Sequence, residues 1–286
     1  MQFGAHSQMF VHEFDVSAMP LFADAERWGL DLLEIHVSNP GTFPVAAVRT
    51  EIASSPVQVV LGTALQAHNS PVSDHGSVRE KAWSHLRSCI DIAAEVGAPK
   101  VCGGLHSANG DFLGRARNVE EWSRSVDFLR RAGVYASDRG IALTVEPVSR
   151  YSGYFLNSAA DGIALVDEVG CDAVGLQLDT WHMNIEESDS PAAIRAAGHR
   201  LRHVHLVESN RGVPGTGQVP WKRLFSAMLD IGYDETCVFE FFPIGLPLMA
   251  ARTHTWRDLG SSIDVVTVGL QRMREALENA KRSDDA

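Results

Sequence analysis

The sequence predicts an α/β chain folded as a (β/α)8 TIM barrel, and three observations predict it. Its 286 residues suit one such barrel, typically about 250 residues long. Eight short apolar runs alternate with longer amphipathic stretches, the pattern of a parallel sheet built from β–α units. No glycine-rich dinucleotide or phosphate loop follows the first run, which weighs against the alternative of an open, doubly wound sheet. Gly103-Gly104 in the fourth run is too short to be such a loop.

The apolar runs are residues 2–7, 32–36, 57–63, 100–105, 142–146, 175–179, 203–207 and 236–242. Their centres are apolar on both faces, as strands buried on both sides require. The clearest helix covers residues 77–96, where Val78, Ala82, Leu86, Cys89, Ile90 and Ala93 recur at helical spacing. Gly97 then supplies the C′ residue that stops it. A second helix, 120–137, is built on Trp122, Val126, Leu129, Ala132 and Ala136, and the last runs from about 261 to 280. One barrel domain over residues 1–280 follows, with 281–286 as a frayed polar tail.

Composition narrows the function classes. A net charge of −11 disfavours nucleic acid unless a local basic stripe exists. The densest basic stretches, Arg115-Ala116-Arg117 and residues 124–131, are diluted by acids and apolar residues. No apolar run reaches the roughly 18 residues that span a bilayer. The first residues carry no basic segment leading into an apolar one, so a soluble cytoplasmic protein is expected. Cys89, Cys102, Cys171 and Cys237 are widely spaced, form no CxxC pair, and read as reduced thiols.

Chemistry on a TIM barrel sits at the C-terminal ends of the strands. The fifth run ends in Glu146, the sixth in Asp179, the seventh holds His203 and His205, and the eighth holds Glu240. One acid at a strand end commonly caps the next helix. Three carboxylates and an imidazole on four consecutive strands would converge on the barrel axis, and a bound cation is the natural compensation for their repulsion. Glu146, Asp179, His205 and Glu240 suit one divalent ion, Mn²⁺ foremost, with Co²⁺ or Mg²⁺ possible. His203, on the same side of its strand as His205, reads as its buried support. His182, three residues past Asp179, reaches the rim of the same pocket or else is a plain loop histidine. Arg211 lies in a Gly/Pro-rich loop after the seventh run and points inward as an oxyanion clamp or outward into water.

These motifs resemble the xylose isomerase-like barrel superfamily, and within it the D-tagatose 3-epimerase (ketose 3-epimerase) group. The resemblance is carried by Val145-Glu146-Pro147, by Leu178-Asp-Thr-Trp-His-Met-Asn-Ile-Glu-Glu187, and by His205-Leu-Val-Glu-Ser-Asn-Arg-Gly-Val-Pro-Gly-Thr-Gly217. Phe239-Glu240-Phe241 and Thr255-Trp-Arg-Asp-Leu259 extend it, as do Gly29-Leu-Asp-Leu-Leu-Glu34 and Ala93-Ala-Glu-Val-Gly97, so it covers nearly the whole chain. It implies that Glu146, Asp179, His205 and Glu240 are the metal ligands, and that Glu146 and Glu240 are also the proton-transfer pair. His182 and Arg211 then hold substrate oxygens near the carbonyl. Ser152 stands where the family has a further substrate-fixing glutamate. His6, Met9, Phe10 and Phe14 stand where the epimerases place mostly tyrosine and tryptophan. His6, Phe14, Ser152 and His106 are therefore expected to shape the distal pocket. The resemblance also implies a homo-oligomer, dimer or tetramer.

The chemistry itself is general. A divalent metal acting as a Lewis acid on a ketone and its adjacent hydroxyl stabilises an enediolate, and a carboxylate removes the α-proton. Return of a proton to the opposite face gives 3-epimerisation of a ketose, the expected reaction. The alternatives are aldose–ketose isomerisation, or β-elimination on a related 3-oxo-sugar by a C-glycoside-cleaving lyase. No glycine loop for phosphate follows the late strands, which favours an unphosphorylated sugar. A DNA-repair endonuclease of the same superfamily would need more histidine ligands and a basic face, and a non-catalytic barrel would not need an intact ligand set.

Overall fold

A computed structural model describes residues 1–284. Eight parallel strands close into a barrel in chain order: β1 Gln2–His6, β2 Leu32–His36, β3 Gln58–Gly62, β4 Lys100–Gly103, β5 Ala142–Val145, β6 Val174–Asp179, β7 Leu201–Leu206 and β8 Thr236–Phe239. Pairing of Gln2 with Thr236 and of Phe3 with Cys237 closes the ring. The helices that cross between strands are α1 Leu21–Trp28, α2 Val45–Ser54, α3 Gly76–Val96, α4 Val119–Ser137, α5 Ala159–Val169, α6 Thr180–Glu186, α7 Ser190–Ala197 and α8 Trp221–Asp230. After β8 come α9 Pro247–Thr253 and α10 Ser262–Asp284.

Strand alternation sorts side chains into two sets. Leu33, Ile35, Leu61, Leu143, Leu176 and Phe239 belong to the large core between barrel and helices, while Leu32, Val60 and Val238 form a separate cluster on the alternate positions, inside the barrel. Two residues above that plug the interior turns polar: Glu34 follows Leu32 and Glu240 follows Val238, while on β7 both inward positions, His203 and His205, are polar. The apolar plug seals the barrel beneath a polar mouth, as filled TIM barrels do. At the opposite end, Lys100 is buried and donates to Glu235 Oε2 (2.6 Å) and to the Arg202 carbonyl (2.7 Å).

The expected helices form within a few residues of their predicted bounds. Gly97 ends α3 at φ +78°, a left-handed conformation that glycine adopts without a Cβ penalty. The expected tail differs. α10 runs on through Asp284, and Lys281 bonds Glu278 across one turn (2.8 Å). Residues 285 and 286 lie outside the described part. The basic stretches are neutralised in place: Arg115 pairs with Glu121, Arg117 with Asp161, Arg124 with Asp74 and Arg130 with Asp127. Among the described residues no helix is long and apolar enough to cross a membrane.

Candidate active site

β5 to β8 deliver the four residues read as ligands to one point. Asp179 closes β6 opposite His205 of β7, and Glu146 and Glu240 lie one residue past the ends of β5 and β8. His205 Nδ1 is 3.7 Å from Glu146 Oε1, 3.8 Å from Asp179 Oδ2 and 3.7 Å from Glu240 Oε1. A single nitrogen therefore faces one oxygen from each of three carboxylates. Asp179 Oδ1 is engaged locally, capping α6 by accepting from the Trp181 and His182 amides (2.7 and 2.9 Å). Its Oδ2 is buried with no hydrogen-bond partner among the described residues. An orphaned buried carboxylate oxygen is costly. A cation resolves that cost, and three carboxylates with one imidazole form a donor set for Mn²⁺, Co²⁺ or Mg²⁺. The residues present fit a divalent metal.

The electrostatics report the same crowding. Burial pushes the Glu146 carboxyl up to about 8. Asp179, Glu240 and Glu34 add to that rise, and His205 opposes it. Burial disfavours charge on His205, yet Glu34, Glu240 and Glu146 outweigh it and raise the imidazole well above its ordinary value. Without a metal the cluster holds protons where a cation would sit.

Beneath this layer lies a residue not among those expected at the site. Glu34 Oε2 is 2.9 Å from Nε2 of both His205 and His203, and His203 Nδ1 is 2.7 Å from the Thr236 hydroxyl. Burial opposes ionisation of Glu34, but the two imidazoles hold its carboxyl well below the usual range. An ionised Glu34 can only accept, so His205 donates from Nε2 and Nδ1 is left as the nitrogen that faces the carboxylates. This carboxylate–histidine support is the usual way a ligand imidazole is fixed. Glu34, His203 and His205 are also close enough to hold an ion themselves. Their 2.9 Å separations are hydrogen-bond contacts, so we read the three as support for the ring above them. His203, expected to support His205, is linked to it through Glu34.

The Asp179–Glu187 stretch has a physical task at nearly every polar position. The Thr180 hydroxyl accepts from the Val207 amide and donates to the Val207 carbonyl (2.8 and 2.6 Å), tying α6 to β7. Glu186 takes the Arg150 amide and guanidinium (2.7 and 2.6 Å). Glu187 accepts from Ala159 at the start of α5 (2.7 Å). The Ser149 amide donates to His182 Nδ1 (2.9 Å), so the ring's free Nε2 carries the proton. Burial, with Arg211 and His205 acting in the same direction and Asp179 against them, takes the pKa of His182 to about 4. His182 is thus a neutral donor. In the next loop Glu208 gathers the amides of Ser209, Gly215 and Val219 and the Trp221 indole. Gly217 packs so closely on Glu208 that a Cβ there would collide with its carboxylate. This anchor holds Arg211, at φ +56°, with its guanidinium 3.9 Å from the Trp181 ring centre and 3.4 Å from Glu240 Oε2.

A cavity of about 450 Å³ opens over the cluster. His6, Ser152, His182 and Arg211 line it, as expected. Two expected residues do not. Phe14 is buried in the core and stacks on Phe43 (centroids 6.3 Å apart), away from the opening. His106 is buried beneath it, with Nε2 3.0 Å from the Glu146 carbonyl and Nδ1 2.9 Å from the Ser107 hydroxyl. With both ring nitrogens spent on the protein, it positions the Glu146 backbone and offers a substrate nothing.

The chain matches the model of the xylose isomerase-like TIM barrel family over residues 22–260. It is 31% identical over 267 residues to an L-ribulose 3-epimerase of Methylomonas sp. (strain DH-1), covering 92% of this chain and 93% of that one. It is 29% identical over 284 residues to a D-psicose 3-epimerase of Agrobacterium fabrum, covering 98% and 96%. The crystal structure of D-allulose 3-epimerase from Methylomonas sp. in complex with D-allulose superposes with a TM-score of 0.92 at 29% identity, over 96% of this chain and 97% of that one. The chain belongs to the xylose isomerase-like TIM barrel family, in its ketose 3-epimerase group.

Proposed function

We propose that this protein is a divalent-metal-dependent 3-epimerase of a ketose, with Glu146 and Glu240 as its proton-transfer pair. The observation that carries this reading is the ring of three carboxylate oxygens around His205 Nδ1, with the two glutamates at the outer ends of the β5–β8 arc. Glu146, Asp179, His205 and Glu240 would hold the metal, Mn²⁺ by preference, which when bound supplies a Lewis acid to a ketone oxygen. The residues do the rest. One glutamate takes the C3 proton and the other returns a proton to the opposite face, so the centre inverts. His182 donates its Nε2 proton to a substrate oxygen without carrying charge, and the Arg211 guanidinium holds another. Charge held in a buried, pre-arranged site is worth far more than in water.

Incubation with candidate ketoses in deuterated water, with Mn²⁺ present, tests the reading. Deuterium at C3 in both epimers is the expected result. Absence of exchange with every ketose removes it.

Ser152 favours a second reading. It lines the cavity and presents a hydroxyl bonded to Ser149 Oγ (3.4 Å) where the group has a substrate-fixing glutamate. Isomerisation, or β-elimination on a 3-oxo-sugar, uses the same first proton removal. Release of an aglycone in the same incubations would favour elimination over epimerisation. We further propose a cytoplasmic homo-oligomer, a dimer or tetramer, which sedimentation would size.

A further inference from the structure

The cavity is electrically two-sided. Its β5–β8 side carries the carboxylates of Glu146 and Glu240. The facing wall and rim present His6 at the end of β1 and Gln8 just after it, His36 at the end of β2, Gln66 after β3, Asn109 after β4 and Arg252 from α9. Among the described residues the one carboxylate lining that side is Glu34, whose Oε2 is bonded to His203 and His205 and whose Oε1 is 3.9 Å from His6 Nε2. His6 is 3% exposed, and its Nδ1 has no partner among the described residues. Its ring meets that of His36 edge to face, with centroids 5.6 Å apart.

The unpartnered Nδ1 of His6 is a polar atom still open to a ligand, and burial, with His6 and Arg252 beside it, takes His36 to about 3, so that its ring is an uncharged donor. Arg252 lines the cavity and is near enough to His36 for its charge to act there. Among the described residues no carboxylate stands within ion-pair distance of it. Arg211, the other guanidinium of the cavity, is already placed against Glu240 and Trp181. An exposed guanidinium at the cavity rim with no carboxylate partner is a receptor for a carboxylate or phosphate.

We propose that the substrate is a ketose whose chain end, remote from the carbonyl, carries an anionic group, a carboxylate or a phosphate, received by Arg252 together with the His6 and His36 rings. This rests on the ketose 3-epimerase reading and names the substrate class it leaves open. The β5–β8 side handles the carbonyl end, and the opposite wall reads the tail.

Calorimetric titration of the Mn²⁺-loaded protein tests it, using a neutral ketose, a ketose of equal length ending in a carboxylate, and a ketose phosphate. C3 deuterium exchange is followed in parallel. At least one anionic sugar is expected to bind roughly tenfold tighter than the neutral one, with the preference shrinking as salt is raised. The ratio should collapse in Arg252→Gln and survive in part in Arg252→Lys. Which anion wins identifies the source. Equal binding of neutral and anionic sugars, or an unchanged ratio in Arg252→Gln, overturns the inference. Exchange with neutral ketoses and no anionic preference would sink it alone, leaving the epimerase reading intact. Preferential anion binding without exchange on any ketose would sink the epimerase reading and leave the anion pocket standing.

Discussion

Glu34 Oε2 stands 2.9 Å from His205 Nε2, and this one contact decides which nitrogen of His205 faces the carboxylate cluster. Glu34→Gln keeps the shape and removes the charge that fixes the ring. Mn²⁺ affinity is expected to fall roughly 10–100-fold, measured by calorimetry, with the circular dichroism spectrum unchanged. Unaltered affinity would mean that Glu34 does not hold the ring for the metal.

The metal-free cluster should be pH-sensitive in a defined direction. Glu146 sits at about 8, above its ordinary 4.5, and His205 is raised well above 6.5. At these two groups the native state binds more protons than the unfolded chain, from about pH 5 upward at Glu146, and the stability they contribute is lost as pH rises through 8. The neutral histidines His6, His36, His106, His182 and His203 work the other way, but only below about pH 6.5. Between pH 6.5 and 8 the Tm of the metal-free protein should fall. A cation replaces those protons, so the gap between Mn²⁺-loaded and metal-free Tm should widen over the same range. A constant gap would contradict the proton-for-metal exchange.

Arg211 is placed to act on the substrate more than on the fold. Arg211→Ala should lower kcat/KM roughly 10²-fold while moving Tm by only a few degrees, since its losses are two cation–π contacts, with Trp181 and Phe242, and a 3.4 Å approach to Glu240. Comparable damage to stability and activity would make it a structural residue.

Glu146→Gln and Glu240→Gln separate the two halves of the reaction. Each should stop epimer formation, yet each leaves one carboxylate. Residual C3 exchange is therefore expected with only one of the two epimers, and with a different one in each variant. Exchange of both epimers in either variant would refute the paired assignment.

How much of this was legible in the sequence follows from distance along the chain. The barrel and the four converging residues were readable because four successive apolar runs each carry an acid or a histidine at or near the C-terminal end, where a barrel places its site. Glu34 was not, because a lone acid inside a strand shows no partner, and its partners lie 169 and 171 residues away. Two histidines on one side of β7 were the available clue, since each needed a nitrogen satisfied inside the barrel. Phe14 and His106 were assigned to the pocket by position relative to strand ends. Rotation of the chain past β1 turns Phe14 into the core against Phe43, and His106 folds under the Glu146 backbone. Neither turn is encoded in spacing. The end of α10 was missed because a polar stretch reads as a tail until its Lys281–Glu278 pair is seen.

Anomalous diffraction from crystals soaked in Mn²⁺ would test the central claim most directly. One strong peak is predicted, about 2.1 Å from oxygens of Glu146, Asp179 and Glu240 and bonded to His205 through Nδ1. A peak bonded to His205 Nε2 among Glu34 and His203, or no peak inside the barrel mouth, would contradict the account.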